Sequence, residues 1–329
     1  MRIGIYGFGS IGRLVARLAL KRGMEIVGVV DIDPKLVGRD VGEVLGVERL
    51  GVEVSRDPET LVDAEVVIHA TSSYLDRVYP QIAKLLEMGL SVVSTCETLA
   101  YPYYRYPVLA RQLDRLARLR GCTVVGTGIN PGFLLDTLVV VLSSCVDDVV
   151  RVRAIRSVDP ARRREPFRKK VGLGEDYEAF SERLRRGEVT GHVGYAESVA
   201  LIAYALGIEL DKIVEEQRPV KAERRIESHG VVVEEGRCAG IVGYGSGIVG
   251  DEEVIRVEFR AVAGSEEFEE IEVVGSEMGR IVWRSSGTHG DLGTASVVLS
   301  VAERILEAPP GLQTMVDLLP FKPFTSRRK

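Results

Sequence analysis

The segment MRIGIYGFGSIGR, residues 1–13, decides the fold, because an apolar strand pattern runs directly into three spaced glycines and then into a helical pattern. The glycines are Gly7, Gly9 and Gly12, and Ile11 begins the apolar stripe of the helix. A strand, a GxGxxG turn and a helix in this order bind the diphosphate of a dinucleotide, since the glycines permit a tight turn and a close approach of the backbone. The segment therefore predicts the first turn of a dinucleotide-binding domain.

The end of the second strand indicates which dinucleotide is bound. Asp31 lies 19 residues after Gly12, where a carboxylate accepts hydrogen bonds from the ribose hydroxyls of NAD and repels the 2′-phosphate of NADP. Arg13 and Arg39 either soften this preference or belong to a solvated surface, so we expect NAD or NADP, with NAD favoured. A structural glycine turn in another kind of α/β protein is the alternative. The residues expected at the cofactor in this region are Gly7, Gly9, Ser10, Ile11, Gly12, Arg13, Asp31 and Arg39.

The order of apolar patterns along the chain indicates two kinds of architecture. Residues 1–130 alternate strand-like runs with helical stripes, which predicts a doubly wound parallel sheet of the Rossmann type. Later residues, up to 289, read as helices followed by long alternating strands, which favours an α+β domain with a mostly antiparallel sheet. A last helix, expected to be capped by Asp291, returns to the first domain. The predicted boundaries are 1–132, 133–289 and 290–329.

Composition excludes several classes of protein. The 329 residues carry a net charge of −5 without a basic run interleaved with aromatics, so nucleic-acid binding is disfavoured. The longest apolar stretch is too short to cross a bilayer, and the first residues enter a strand rather than a signal peptide, so we expect a cytoplasmic protein without membrane contact. Four cysteines without a CxxC pair predict neither a metal site nor a disulfide framework.

Amide-bearing residues are scarce in the chain. Asn occurs once, at Asn130, and Gln occurs four times, whereas Arg is abundant. Depletion of thermolabile amides favours a thermophilic source, although GC-rich coding also favours Arg.

Small polar residues follow the later strands of the first domain, at the sheet edge where a doubly wound domain binds its cofactor. His69 lies within an apolar strand and is interpreted as a core histidine. Asn130 follows the sixth strand, in the sequence TGINPGF. The residues expected along the dinucleotide here are Ala70, Thr71, Ser72, Thr95, Cys96 and Asn130.

Glu97 is the carboxylate of this edge, in the sequence STCET after the fifth strand. A carboxylate beside an apolar wall and a redox ring is suited to proton transfer or to binding an amine, which makes Glu97 the candidate catalytic residue. The alternative is an acid in the N-cap region of the following helix.

Together these motifs resemble a known family. GFGSIGR, HATSSYL, STCETLAYP, GTGINPGFLLDTL, GHVGYAES and THGDLGTASV are similar to motifs of the 2,4-diaminopentanoate dehydrogenases and native amine dehydrogenases, which are two-domain relatives of dihydrodipicolinate reductase. The resemblance implies a homodimer that uses NAD(P) to convert an amine or diamino acid to a carbonyl compound plus ammonia, or the reverse. It also implies that Glu97 handles the amine and water protons, and that residues 133–289 bind substrate and form the dimer.

Two other functions stay open at this point. One is reduction of a cyclic imine or a conjugated double bond, as in dihydrodipicolinate reductase, although the HHxxKxDxPSGT stretch of those enzymes is absent. The other is dinucleotide binding without turnover. His192 and His289 either line the substrate pocket or serve as turn and cap residues. The full set of expected pocket residues is Asn130, Pro131, Phe133, His192, Thr288 and His289.

Overall fold

The structure is a computed structural model that describes residues 1–319. The described chain divides into two compact units, of which the first comprises Met1–Phe133 and the segment from His289 onward, and the second comprises Leu134–Thr288. The end of the predicted tail, residues 320–329, lies outside the described residues. No helix of the described part is long and apolar enough to cross a membrane.

The first unit contains a seven-stranded sheet in which every pair of neighbouring strands is parallel. Its strands are β1 (Arg2–Tyr6), β2 (Glu25–Val30), β3 (Val54–Ser55), β4 (Val66–His69), β5 (Ser91–Ser94), β6 (Thr123–Gly126) and β15 (Gly311–Gln313). Its helices are α1 (Ser10–Lys21), α2 (Val41–Leu45), α3 (Leu75–Glu87), α4 (Pro102–Arg105), α5 (Pro107–Arg120) and α10 (Gly290–Ile305). The strand order is β15-β6-β5-β4-β1-β2-β3, which confirms the predicted doubly wound parallel sheet.

Apolar side chains cover both faces of this sheet, which explains the continuous apolar runs of its strands. On one face Ile5 of β1 belongs to the same core as Val15 of α1 and Leu299 of α10. On the other face Val92 of β5 belongs to the core that contains Leu85 of α3. With both faces covered, the carboxyl ends of the strands are the edge at which polar loop residues gather.

The start of α10 differs from the prediction. His289 is the N-cap, and its Nδ1 accepts a hydrogen bond from the backbone N–H of Leu292 at 3.3 Å. Asp291 lies buried inside the first turn, so the prediction that Asp291 caps this helix is wrong. The physical reason is that Gly290 already has helical geometry, which leaves residue 289 at the cap position.

The second unit contains a six-stranded sheet in the order β14-β13-β7-β12-β11-β8 and a two-stranded ribbon of β9 and β10. Its strands are β7 (Val149–Val158), β8 (Lys212–Lys221), β9 (Ile226–Ser228), β10 (Val231–Val233), β11 (Cys238–Val249), β12 (Glu252–Val262), β13 (Phe268–Gly275) and β14 (Gly279–Arg284). Its helices are α6 (Thr137–Ser143), α7 (Glu165–Lys170), α8 (Tyr177–Arg185) and α9 (Tyr195–Leu206). All neighbouring strands of the larger sheet are antiparallel except β7 and β12, which confirms the predicted mostly antiparallel sheet.

Glycines in β11 allow α9 to lie directly on this sheet. A Cβ atom on Gly243 would lie 2.5 Å from the Tyr195 hydroxyl, and one on Gly245 would lie 2.8 Å from the Tyr195 carbonyl oxygen. Real Cβ atoms do not approach other atoms this closely, so the close helix–sheet contact requires glycine at both positions.

Candidate active site

Each glycine of the turn between β1 and α1 has a different structural role. Gly7 has a φ of +97°, and a Cβ there would lie 2.5 Å from the Ala70 carbonyl oxygen. A Cβ on Gly12 would lie 2.0 Å from the Gly7 carbonyl oxygen. Gly9, in contrast, has no atom within 4 Å of its would-be Cβ. The first and third glycines therefore close the turn, and the second leaves open space at the start of α1.

This open space fits a diphosphate. Gly9 is the N-cap of α1, and no side chain caps the helix there. The first amides of a helix carry partial positive charge and need acceptors, which a diphosphate supplies. Ser10 is exposed in the first turn, and Ile11 packs against the core below it.

The carboxylate of Asp31 lies beside the same turn. It accepts hydrogen bonds from the backbone N–H of Phe8 at 2.5 Å and from that of Asp33 at 2.8 Å. Arg13 folds back on its own helix, where its Nε donates to the Gly9 carbonyl oxygen at 3.3 Å. Arg39 is exposed in the loop between β2 and β3. Asp31 is thus held beside the glycine turn, as the sequence pattern predicted.

The loop after β4 touches the glycine turn. The Ala70 carbonyl oxygen faces Gly7, and the Cγ2 atom of Thr71 would lie 2.9 Å from a Cβ on Gly7. Ser72 is half-buried in the same loop. The structure therefore brings two of the three residues predicted in this loop into direct contact with the turn.

His69, the last residue of β4, is buried and fully hydrogen-bonded. Its Nδ1 lies 2.9 Å from the Ser94 hydroxyl, and its Nε2 lies 2.8 Å from Oε1 of Gln81. Burial lowers the pKa of His69 to about 4, so the ring is neutral near pH 7. This is the environment of a core histidine.

The loop after β5 carries Thr95, Cys96 and Glu97. The backbone N–H of Thr95 donates to the His69 carbonyl oxygen at 2.9 Å. Burial, and secondarily the charge of Glu97, raises the pKa of Cys96 to about 12. Since the thiolate is the reactive form of cysteine, Cys96 is not suited to act as a nucleophile.

Glu97 begins a short 3₁₀ turn, Glu97–Leu99, and its side chain is partly exposed between buried neighbours. Thr98 anchors this turn, because its backbone N–H donates to the Ser73 carbonyl oxygen at 3.1 Å and its Oγ1 accepts from the Leu75 N–H at 2.8 Å. The N-cap of the turn is Cys96 and the N-cap of α4 is Tyr101, so Glu97 is not itself a cap. Glu97 does lie in the first turn of the 3₁₀ segment, in agreement with the alternative of an acid in the N-cap region. A carboxylate with solvent access on a fixed turn is suited to proton transfer.

The loop after β6 is fixed to α10 of the same unit. The backbone N–H of Ile129 donates to the Thr294 hydroxyl at 3.3 Å. The Asn130–Pro131 peptide bond is cis, Asn130 is half-buried and Pro131 is buried. Phe133 packs against the core formed with α1 and α10.

The remaining residues of the predicted pocket belong to different units of the chain. His289 caps α10 of the first unit, as described above, whereas His192 and Thr288 belong to the second unit. The His192 ring centroid lies 4.7 Å from that of Tyr195 and 4.5 Å from that of Phe259. Burial lowers the pKa of His192 well below its ordinary value, and the charges of nearby cations add to this.

Sequence reasoning missed a buried ion pair in the second unit. Arg156 of β7 lies 3.1 Å from the Glu269 carboxylate of β13, and both side chains are almost fully buried. Arg156 also donates to the Thr288 carbonyl oxygen at 2.8 Å, and Glu269 accepts from the Thr288 N–H at 3.1 Å. Among the described residues, no group of three His, Cys, Asp or Glu side chains is arranged to hold a metal ion.

Comparison with known proteins identifies the family. A model of the 2,4-diaminopentanoate dehydrogenase C-terminal domain matches residues 133–326, and a model of the dihydrodipicolinate reductase N-terminus matches residues 1–96. The 2,4-diaminopentanoate dehydrogenase of Acetoanaerobium sticklandii is 31% identical over 337 residues, which cover 97% of this chain and 93% of that protein. The chain belongs to the 2,4-diaminopentanoate dehydrogenase family. This membership confirms the resemblance predicted from the motifs and the assignment of the chain to the dehydrogenases.

Two solved structures share the fold of this family member. The amine dehydrogenase of Mycobacterium smegmatis is 24% identical with a TM-score of 0.85, covering 98% of this chain and 96% of that one. The dihydrodipicolinate reductase of Paenisporosarcina sp. TG-14 is 14% identical with a TM-score of 0.52, covering 97% of this chain and 99% of that one. At these identities the two likenesses establish the shared α/β architecture.

Proposed function

We propose that this protein is an NAD(P)-dependent amine dehydrogenase. It deaminates an amine or a diamino acid similar to 2,4-diaminopentanoate to a carbonyl compound plus ammonia, or catalyses the reverse reductive amination. The proposal rests on the arrangement of the first unit in a chain of this family. A dinucleotide-type glycine turn and a partly exposed Glu97 both lie at the carboxyl ends of strands in one parallel sheet.

The residues around the glycine turn would hold the dinucleotide. The amides at the start of α1 bind its diphosphate, and Asp31 binds its ribose. When bound, the nicotinamide accepts the hydride from the amine-bearing carbon. Asp31 supports a preference for NAD over NADP, because its carboxylate would repel a 2′-phosphate. The remaining residues proposed to contact the cofactor are Ala70, Thr71, Ser72, Thr95, Cys96 and Asn130.

Glu97 handles the protons of the reaction. In deamination it accepts a proton from the substrate ammonium, so that the nitrogen lone pair assists departure of the hydride. It releases this proton to solvent, accepts one from the water that adds to the resulting carbon–nitrogen double bond, and gives that proton to the nitrogen. It then takes the hydroxyl proton as the carbon–nitrogen bond breaks and transfers it to the departing ammonia, which leaves as ammonium. Overall, the ammonium substrate, the oxidised cofactor and water give the carbonyl compound, the reduced cofactor, ammonium and one proton.

We further propose that the second unit binds substrate and forms a homodimer. A groove of about 480 Å³ across β8, β11 and β12 is lined by both signs of charge, including Glu216, Arg218, Arg256 and Glu258. A face of mixed charge is complementary to itself under two-fold symmetry. Sedimentation equilibrium tests the dimer, and a monomer at micromolar concentration would contradict it.

A cytoplasmic location and a thermophilic source stay predictions. A melting temperature above about 80 °C would support the thermophilic source.

The experiment that tests the proposed function combines a substrate screen with a variant of Glu97. Reduction of NAD and of NADP is followed with diamino acids and short amines at elevated temperature. Glu97→Gln keeps the shape of the side chain and cannot accept the proton, so turnover should fall about 10²–10⁴-fold. NADH affinity, measured by fluorescence titration, should stay within about threefold of wild type, since the substitution leaves the glycine turn intact.

Glu87→Gln is the matched control, because Glu87 is an exposed acid at the end of α3 in the same unit. It should turn over like wild type. Undiminished turnover in Glu97→Gln would contradict the proposed mechanism, and joint loss of folding and NADH binding would make Glu97 a structural residue instead.

A cyclic-imine reductase is the second candidate, favoured by the match of residues 1–96 to the dihydrodipicolinate reductase N-terminus. Ammonia separates the two activities. An amine dehydrogenase requires ammonia for carbonyl reduction, whereas a cyclic-imine reductase oxidises NAD(P)H with its substrate in ammonia-free buffer. Tight NADH binding without turnover across both substrate panels would instead indicate a non-catalytic dinucleotide-binding protein.

A further inference from the structure

One buried side chain connects the two loops that carry the proposed cofactor and catalytic residues. His69 ends β4, and its ring makes hydrogen bonds on both sides, to Ser94 of β5 through Nδ1 and to Gln81 of α3 through Nε2. The Thr71 hydroxyl oxygen also lies 3.0 Å from Nε2. The ring is completely buried. The core-histidine interpretation explains its burial, but it leaves unexplained why both bonds lead toward the carboxyl edge of the sheet.

The hydrogen-bond directions form one consistent chain. The backbone N–H of Cys96 donates to the Ser94 hydroxyl oxygen at 3.1 Å, so the Ser94 hydroxyl hydrogen is available to Nδ1 of His69. Nε2 then carries the ring proton and donates to Oε1 of Gln81. The same oxygen accepts from the Thr71 hydroxyl at 2.7 Å. A neutral ring in this tautomer satisfies every partner.

Each side of the ring holds a different loop. The chain His69–Ser94–Cys96, called here the β5 arm, ends at the amide immediately before Glu97. The chain His69–Gln81–Thr71, called the β4 arm, ends at the side chain whose methyl group abuts Gly7 of the glycine turn. The two side-chain arms meet at the imidazole, and the two loops also touch through the Thr98 N–H, which donates to the Ser73 carbonyl oxygen.

We propose that His69 is a positioning residue that holds the Glu97 turn through the β5 arm and the dinucleotide turn through the β4 arm. The expected effect on catalysis by Glu97 rests on the proposed function, whereas the expected effect on NADH binding at the dinucleotide turn does not. Because burial lowers the pKa of His69 to about 4, the ring is not protonated near pH 7 and acts through geometry rather than by proton transfer.

Two conservative variants separate the arms. His69→Asn keeps a carboxamide oxygen near the position of Nδ1 and so retains the β5 arm, but it is too short to reach Gln81. His69→Gln carries a carboxamide nitrogen to the position of Nε2 and retains the β4 arm, but it withdraws the acceptor from Ser94. Ser94→Ala breaks the β5 arm without touching the ring. Gln81→Leu weakens the β4 arm, because it removes the acceptor shared by the ring and Thr71 and leaves the Thr71 hydroxyl only its contact with Nε2. Each of these variants pairs with one histidine variant.

Loss of the β5 arm should lower kcat about tenfold to a hundredfold, because misplacement of a catalytic group by a fraction of an ångström is costly. It should leave the Kd of NADH within twofold. Loss of the β4 arm should raise the Kd of NADH about three- to tenfold, which corresponds to the free energy of one or two hydrogen bonds. It should leave kcat at saturating cofactor within twofold of wild type. A merely structural histidine would lower the melting temperature without producing this split.

A readout independent of turnover is hydrogen exchange in a peptide spanning residues 94–99. The Cys96 amide should exchange faster in His69→Gln and Ser94→Ala, and at the wild-type rate in His69→Asn and Gln81→Leu. Ser143→Ala, which removes a buried hydroxyl from α6 of the second unit, is the control for loss of a buried hydrogen bond elsewhere.

Parallel changes of kcat and of the NADH Kd in all four variants, or identical exchange at Cys96 in all four, would overturn the proposal. If the wild-type protein oxidises no amine, the proposed function fails, whereas the NADH titration and the exchange experiment still decide the positioning role of His69.

Discussion

The backbone N–H of Phe8 donates a hydrogen bond to the carboxylate of Asp31, which joins the glycine turn to the end of β2 across 23 residues. The other carboxylate oxygen accepts from the N–H of Asp33. The negative charge is therefore fixed beside the turn before any ligand arrives, and little ordering remains to be done when a ribose binds.

Asp31→Ser should shift the cofactor preference toward NADP. The substitution removes a charge-assisted acceptor for the ribose of NAD and the repulsion of a 2′-phosphate. These effects are worth about 1–3 kcal/mol, or roughly fivefold to 150-fold in the NAD to NADP ratio of kcat/KM. Asp33→Ser is the control, because it removes the same charge two residues later. Among the described contacts, the Asp33 side chain accepts a hydrogen bond only from the Lys35 N–H. An unchanged ratio in Asp31→Ser would mean that the cofactor ribose lies elsewhere.

Gly9→Ala and Gly12→Ala should fail in different ways. A methyl group on Gly9 meets no protein atom within 4 Å, so the variant should keep its melting temperature within about 2 °C and lose NADH affinity by tenfold or more, because the methyl would occupy the space of the diphosphate. A methyl group on Gly12 would lie 2.0 Å from a backbone oxygen, so that variant should unfold at a lower temperature. Thermal unfolding and NADH titration together check both expectations, and wild-type NADH affinity in Gly9→Ala would contradict the placement of the diphosphate.

The positions of several candidate residues followed from local patterns alone. An apolar run of four to six residues predicts a buried strand, and successive parallel strands place their carboxyl ends at one edge. That rule predicted that the loops beginning at Ala70, Thr95 and Thr127 share an edge with the glycine turn, and the pairing of β4, β5 and β6 agrees. The roles of these residues toward cofactor and substrate stay predictions.

Features that depend on register or on long-range pairing were not accessible from the sequence. The partnership of His69 with Gln81 requires knowing which face of α3 packs on β4, and the pairing of Arg156 with Glu269 requires the register of β7 against β13. β15 was missed because three residues carry too little periodicity to be recognised. The prediction that Asp291 caps α10 was wrong because a sequence pattern locates the end of a helix only to within a residue or two.

Neutral burial of His69 should make the protein less stable in acid. Its pKa is about 4 in the folded protein and about 6.5 in an unfolded chain, so between these values the unfolded state binds a proton that the folded state does not. The free energy of unfolding should therefore fall by about 1.4 kcal/mol per pH unit as pH drops from 6.5 toward 4, from this ring alone. Urea unfolding from pH 4.5 to 7.5 measures the slope, which His69→Gln should reduce by that amount. Ser94→Ala keeps the buried ring and should keep the slope, and an equal slope in His69→Gln and wild type would refute the linkage.

The buried pair of Arg156 and Glu269 joins the start of β13 to Thr288, in the chain that leads to α10. Side-chain exposures of 2% and 4% leave neither charge access to water. Glu269 also accepts hydrogen bonds from the hydroxyls of Ser285 and Thr288. Burial lowers the pKa of Arg156 to about 10, so the guanidinium remains charged at neutral pH. Removing it would leave a carboxylate buried without its counter-charge.

Arg156→Met should therefore cost about 3–5 kcal/mol of unfolding free energy, as for other buried pairs broken on one side. The double variant Arg156→Met with Glu269→Gln should recover part of this loss, because the amide at position 269 would be neutral and would still hydrogen-bond to Thr288. Urea unfolding of the two single variants and the double variant gives the coupling energy between the two side chains. Arg153→Met is the matched control, since Arg153 lies on the same strand and pairs with Glu258 at 2.8 Å while its side chain is 45% exposed. Glu258 keeps Arg256 at 2.7 Å when Arg153 is removed, and a pair with one solvent-exposed partner is worth about 1 kcal/mol or less. Equal destabilisation by Arg153→Met and Arg156→Met would therefore show that burial does not determine the strength of the Arg156–Glu269 pair.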